Sequence, residues 1–174
     1  MPPPRALLKL ACAATVSTIL PAAPVTAQKA ATSATTPCAM VLTADEVKAA
    51  VGAAMQGYPP DDRGRGNTEC EWILRGGPGG VKTLSVSFHD LDGIKLSPVA
   101  PTPDGFYEML VKAAEDSTST RREPIAGAGL HAAFVPTSPQ TLAIVHRADG
   151  VVRIVANGMT KAQTIALAKA VATP

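Results

Sequence analysis

The chain has three cysteines, and their positions restrict its fold more strongly than anything else in the sequence. Cys12 lies in an N-terminal segment that we expect to be removed, which leaves Cys38 and Cys70. Two cysteines in an oxidising compartment most simply form a disulfide. Neither has a C-x-x-C partner or an adjacent histidine or basic residue, so zinc binding and a reactive thiol are less favoured. The predicted bond closes a long loop and would contribute about 3–4 kcal/mol to stability.

Residues 1–27 have the pattern of a secretory signal peptide. A basic start, "MPPPR", precedes a mostly apolar run that closes on the small-residue tripeptide "VTA" at 25–27. Two prolines and Lys9 interrupt the run, which disfavours a retained membrane helix. Lys9 also stands where a lipobox requires an aliphatic residue, which disfavours lipidation at Cys12. We therefore predict a periplasmic or secreted protein with no membrane span after signal cleavage.

Removal of this segment makes the chain electrically neutral. The full sequence has 16 basic and 14 acidic residues, and Arg5 and Lys9 leave with the signal, so 14 of each remain. A neutral chain in which aromatic residues are only 3% lacks the positive surface and the stacking platforms of nucleic-acid-binding proteins. The expected partner is an unknown envelope protein or a small ligand, and neither nucleic acid nor a cofactor is expected.

The remaining chain is predicted to be a flexible leader, residues 28–37, followed by a single domain, residues 38–174. Capping boxes open the first and last helices of this domain: Thr43 pairs with Glu46, and Thr160 pairs with Gln163.

A middle helix is indicated by apolar residues at helical spacing in "DGFYEMLVKAAED", with Asp104 as a plausible N-cap. The segment before it, "LDGIKLSPVAPTP", holds three prolines and is predicted to be a non-helical linker.

Five strands are predicted from alternating or apolar runs with intervening turn residues. They are "CEWILR", "VKTLSVSFHD", "IAGAGLHAAFVP", "TLAIVHR" and "VVRIVAN". On the first strand Trp72 follows Cys70 by two residues, so both side chains should lie on one face. The predicted fold class is α+β: an antiparallel sheet of about five strands with helices packed on one face, in the order α-β-β-α-β-β-β-α.

The last hairpin allows two registers. A two-residue turn at Asp149 and Gly150 would place Ile144 opposite Val155 and mix apolar with polar residues on both faces. A three-residue loop with Gly150 as a left-handed bulge residue places Ile144 opposite Ile154 and segregates the faces. We predict the second register, because a half-buried strand should have one apolar face.

The segments "CAMVLTADEVKAAVG", "CEW" and "PIAGAGLHAAF", with a hairpin and an alanine-rich last helix, resemble a group of small exported bacterial proteins. Many of these are lipoproteins of unknown function. The resemblance spans most of residues 38–172; it implies the fold and the disulfide and supplies no catalytic residues. The group usually begins its domain near a lipidated cysteine, and this chain departs from that pattern.

No motif for a nucleophile, a phosphate loop or a metalloprotease occurs in the sequence. The segment "HDLDG" could hold a cation, but it lacks the further oxygen ligands of an EF-hand loop, so no metal site is predicted. His131 and His146 fall on predicted strands, where histidines are more often structural than ligands.

Two functional hypotheses remain. The favoured one is an exported non-catalytic domain that binds a protein or small ligand through loop 57–67, with Tyr58, Arg63 and Arg65 as candidate contacts. The alternative is a periplasmic enzyme whose site lies near His89, Asp90 and Asp92. A cleft that joins His89 to His131 or His146 would favour the enzyme.

Overall fold

A computed structural model describes residues 37–62, 64, 66–77 and 80–172. The predicted signal peptide and the leader up to residue 36 lie outside these residues. Within them, the helices are α1 (Ala44–Val51), α2 (Leu91–Lys95), α3 (Pro103–Thr118) and α4 (Lys161–Val171), preceded by a 3₁₀ turn (Pro37–Met40). The strands are β1 (Gln56–Gly57), β2 (Asp61–Asp62), β3 (Asn67–Gly77), β4 (Gly80–Asp90), β5 (Glu123–Pro124), β6 (His131–Pro136), β7 (Gln140–Arg147) and β8 (Gly150–Asn157).

The α+β class is confirmed, but the predicted sheet of five strands with its element order is wrong. In the described residues the strands form one antiparallel sheet in the order β1-β3-β4-β8-β7-β6-β5, and β2 pairs with another part of β3 beside β1. The eight strands therefore make a sheet that is seven strands wide, because β1 and β2 both pair with the same side of β3. The five long strands are those predicted from the sequence, whereas β1, β2 and β5 have two residues each and are too short to show a periodicity.

The helices cover both faces of the sheet, so the prediction of helices on one face is wrong. Helices α1 and α4 pack on one face in a core that includes Trp72. Helices α2 and α3 pack on the other face, over Leu142 and Ile144. The reason lies in β7, whose residues 142–147 are all buried, so that both of its faces require cover.

This double burial also explains why the predicted hairpin register is wrong. Arg147 pairs with Gly150, which leaves Ala148 and Asp149 as a two-residue loop, and Ile144 lies opposite Arg153. The prediction assumed that one face of the hairpin is solvated. Because both faces carry apolar residues, the separation of polar from apolar side chains does not select the register.

Two further predictions fail around the proline-rich linker. Residues Leu91–Lys95 form the short helix α2, since Asp90 caps it and the prolines come only after it ends. Helix α3 begins at Pro103, and its N-cap is Thr102, whose hydroxyl accepts from the Gly105 amide. Asp104 therefore lies inside the first turn of the helix, and its carboxylate does not serve as the cap.

The predicted disulfide is confirmed. Cys38 and Cys70 are bonded with their Cα atoms 5.8 Å apart, which ties the 3₁₀ turn to β3. Cys70 and Trp72 are both buried in the core under α1 and α4, as their spacing predicted. Both predicted capping boxes are formed as well. Among the described residues, no helix combines the length and apolar character needed to cross a membrane.

Candidate functional site

Strand pairing places all three histidines of the chain in one row across the sheet. His131 lies opposite His146, His146 opposite Val151, and Val151 opposite His89. Directly paired residues share a face, so the three imidazoles lie on the face that α2 and α3 cover. Neighbouring strands are about 4.8 Å apart, so His131 and His146 are adjacent, while His89 is two strands away from His146.

The first turns of α3 lie over this row. The ring of Tyr107 is 6.2 Å from that of His146 and 6.1 Å from that of His131, measured between centroids. Phe106 lies instead against His89, at 4.9 Å. Apolar residues on the buried side of α3 hold the helix on the sheet, so these contacts follow from its packing. The row is thereby divided into a His89 part and a His131–His146 part.

Asp104 completes a compact polar group with His131 and His146. One potential ligand atom from each of these residues lies within 4.8 Å of the other two. The shortest separation is 3.1 Å, between Asp104 Oδ1 and His146 Nδ1. The His146 side chain is only 7% exposed, whereas that of Asp104 is 78% exposed. We refer to Asp104, His131 and His146 as the Asp-His-His site; its inner wall is buried and its outer wall faces solvent.

The inner nitrogen of this site is not hydrogen-bonded. In the described part of the chain, only two buried side-chain atoms lack a hydrogen-bond partner, His146 Nδ1 and Asn67 Oδ1, and both residues lie in the same row. Asp104 Oδ1 lies 3.1 Å from His146 Nδ1, but the two atoms do not form a hydrogen bond. A buried polar atom without a hydrogen-bond partner lowers the stability of the fold by about 1–3 kcal/mol. A bound ligand or a water molecule at His146 Nδ1 would remove this cost.

His89 belongs to a different environment. Burial, followed by the positive charge of Arg153, lowers the pKa of His89 below its usual value, and the carboxylates of Asp90 and Glu69 oppose this shift. The Asp90 carboxylate accepts the Gly93 amide at 2.7 Å and so caps α2. Asp92 is exposed and is paired with Lys95 at 2.9 Å. The two carboxylates of "HDLDG" therefore serve α2, and these interactions do not join them to His89 in one site.

Loop 57–67, the ligand surface predicted from the sequence, is partly sheet. It contains β2 and borders β1, and Tyr58 donates its amide to the Glu71 carbonyl at 2.9 Å. The Tyr58 side chain is partly exposed. Arg63 and Arg65 lie outside the described residues, so the structure does not test their predicted role.

No local sequence pattern marks the Asp-His-His site. Its members come from α3, β6 and β7, and a sequence pattern cannot bring them together without the strand register. A comparison with known proteins adds no assignment: no family model, curated protein or solved structure matches the chain.

Proposed function

We propose that the protein is exported to the cell envelope and acts there as a non-catalytic domain that binds a small ligand at the Asp-His-His site. One observation carries the ligand site. His146 Nδ1 is buried and has no hydrogen bond within the described residues, and the His146 ring lies beside two solvent-accessible polar groups, Asp104 and His131. A small ligand that entered from solvent could reach all three groups.

Export is supported by two independent features. The N-terminal 27 residues have the composition and the closing tripeptide of a secretory signal. The Cys38–Cys70 disulfide is typical of proteins in oxidising compartments. Together they support a periplasmic or secreted location.

The enzyme alternative has less support. It required His89, Asp90 and Asp92 to act together, but Asp90 is engaged as a helix cap and Asp92 in an exposed ion pair. The ring of His89 packs against Phe106.

The ligand-binding proposal is tested by histidine side-chain NMR on the exported form. Zinc chloride, sodium phosphate, sodium acetate and putrescine would be titrated separately into the protein after treatment with a chelator. We expect at least one probe to shift the ring signals of His131 and His146 while those of His89 stay in place. The proposal is overturned if none of the four probes does so, or if the same shift of His146 persists in His131→Ala.

Export is tested by the intact mass of the protein recovered from the envelope or the medium. We expect an unmodified chain that begins at Gln28, with two hydrogens fewer than the reduced chain because of the disulfide. An acylated species that begins at Cys12, or a chain that retains residues 1–27, would contradict the proposed export route.

A further inference from the structure

The donor set of the Asp-His-His site is one that metal ions select. Two imidazole nitrogens and one carboxylate oxygen are ligands for zinc and for other divalent ions of the first transition row. Calcium and magnesium prefer sites made of oxygen atoms only. The side-chain chemistry of Asp104, His131 and His146 therefore favours a transition metal over these two ions.

The spacing of the donor atoms agrees with this chemistry. Ligand atoms that are each about 2.0–2.2 Å from one tetrahedral zinc ion lie about 3.3–3.6 Å from one another. Asp104 Oδ1 and His146 Nδ1 are 3.1 Å apart, and the three ligand atoms lie within 4.8 Å. The remaining approach is about 1.5 Å, which side-chain rotation of the exposed Asp104 and His131 can supply, because staggered rotamers of exposed side chains interconvert readily.

The shortest contact in the site does not have the geometry of a charged hydrogen bond. In a charged hydrogen bond, the N–H of His146 would point at the carboxylate of Asp104. The two atoms are at hydrogen-bonding distance, yet within the described residues His146 Nδ1 makes no hydrogen bond. Two ligand atoms of one metal ion are also close together without a hydrogen bond between them, because the lone pair of each atom is directed at the metal.

The three side chains of the site differ in how firmly the fold holds them, because His146 is buried whereas Asp104 and His131 are exposed. His146 is held within the sheet, with its backbone carbonyl accepting the Leu130 amide at 2.8 Å. The ring of Tyr107 lies on the α3 side of both imidazoles, with its centroid 6.1 Å from that of His131 and 6.2 Å from that of His146. His146 would therefore be the fixed ligand of a bound ion, and Asp104 and His131 the ligands that move towards it.

From these observations we infer that the ligand of the Asp-His-His site is a divalent transition-metal ion of the zinc type, held by Asp104, His131 and His146. This inference rests on the proposed ligand-binding function and names its ligand. Three protein ligands leave at least one position of a tetrahedral ion for water or an external ligand. The ligands come from α3, β6 and β7, so the ion would also fasten the start of α3 to the sheet.

The test uses the exported chain without a histidine tag, freed of metal with a chelator and kept oxidised. Zinc binding is measured by calorimetry, and cobalt(II) is used as a spectroscopic probe of coordination by nitrogen and oxygen. We expect one ion per chain and a rise in Tm of about 5–10 °C at saturating zinc.

Matched variants separate this site from adventitious binding. His131→Ala and Asp104→Asn each remove one exposed ligand and should weaken zinc binding at least tenfold, with loss of the cobalt spectrum. His89→Gln and Asp92→Asn change a histidine and an aspartate outside the group and should leave both readouts unchanged. Far-ultraviolet circular dichroism of each variant shows that the fold is retained.

The inference is overturned if no stoichiometric zinc binding occurs, or if the His89→Gln and Asp92→Asn controls lose affinity as much as the site variants do. Its failure is distinguishable from failure of the proposed function. If zinc is inert but phosphate, acetate or putrescine shifts His131 and His146 in the NMR titration, the metal is wrong and the ligand-binding function stands. If no probe acts on these histidines, both proposals fall.

Discussion

His146 and Arg147 are consecutive residues of β7, and both are buried, yet their surroundings differ in kind. The Arg147 guanidinium donates two hydrogen bonds to Asp149, at 2.7 and 2.6 Å, and one to the Val171 carbonyl at 2.8 Å. It also lies over the ring of Phe88, at 5.5 Å. His146 faces the other side of the sheet, and its Nδ1 has no hydrogen bond within the described residues.

The difference separates a structural polar group from one that is available for binding. Arg147 fastens the end of α4 to the last hairpin, so its polar atoms are used by the fold itself. The buried nitrogen of His146 is not used in this way, although a fold can bury such a residue with a satisfied hydrogen bond. A buried polar atom whose partner is not supplied by the fold is therefore the better guide to a ligand site, and we expect substitutions of the two residues to act in opposite directions.

The largest effect is expected for Arg147→Ala. The change removes a buried charge with its hydrogen bonds and its contact with Phe88, and should lower the free energy of unfolding by about 3 kcal/mol. Arg122→Ala is the matched control, because Arg122 also contacts both carboxylate oxygens of its partner, Glu108, but on the surface. That control should lose less than about 1 kcal/mol in urea denaturation. Equal losses of unfolding free energy in the two variants would show that the buried ion pair of Arg147 stabilises the fold no more than a surface ion pair does.

Replacing Cys38 and Cys70 together with serine should have an effect of similar size. Loss of the loop constraint is expected to lower stability by about 3–4 kcal/mol and Tm by about 10 °C. The bond lies on the same face as Arg147, so the two anchors can be compared by calorimetric melting. The double variant should keep the native circular dichroism spectrum when produced at low temperature. Two free thiols in the unreduced, unfolded wild-type protein would contradict the disulfide itself.

A smaller effect of opposite sign is expected for His146→Phe in metal-free protein. The apolar ring is similar in shape and removes a buried nitrogen that lacks a hydrogen bond within the described residues, so stability should stay constant or rise by up to about 1 kcal/mol. Melting in the presence of a chelator measures this change. A loss above about 2 kcal/mol would show that the fold depends on His146 as it does on Arg147.

The smallest effect concerns His89, the third member of the histidine row. Burial and the charge of Arg153 lower its pKa in the folded state, so the unfolded chain takes up the proton at a higher pH than the native chain does. Stability from this residue is complete above the unfolded pKa of about 6.5 and decreases as the pH falls through that value towards the folded pKa. The Tm of His89→Gln should therefore fall less steeply than that of wild type between about pH 7 and pH 5. Parallel Tm profiles would exclude this role for His89.

Local sequence signals predicted the parts of the fold that local interactions determine. The capping boxes, the disulfide and the five long strands depend on neighbouring residues or on the pairing of two cysteines, and all are present. The two-residue strands could not be predicted, because pairing with a longer strand defines them and not their own composition. The register of the last hairpin could not be predicted either, since both faces of its first strand, β7, are buried and polar residues do not mark one of them.

The Asp-His-His site was missed for a related reason. Asp104 and Thr102 are both good N-cap residues, and choosing Asp104 assigned its carboxylate to the helix. The structure uses Thr102 as the cap, with Pro103 in the first turn, which leaves Asp104 beside His146. The proximity of His131 and His146 depends on the β6–β7 register, which the turn residues between these two strands do not fix by themselves.

The two-residue strands at the borders of the sheet affect how copies of this protein meet each other. A long, unpaired strand at a sheet border invites another chain to add a strand of its own, which leads to aggregation. Here the outermost strands are "QG", "DD" and "EP". Pro124 has no amide hydrogen to donate to another strand. A domain with an apolar central strand thus presents polar, interrupted borders, which disfavour edge-to-edge association at high concentration.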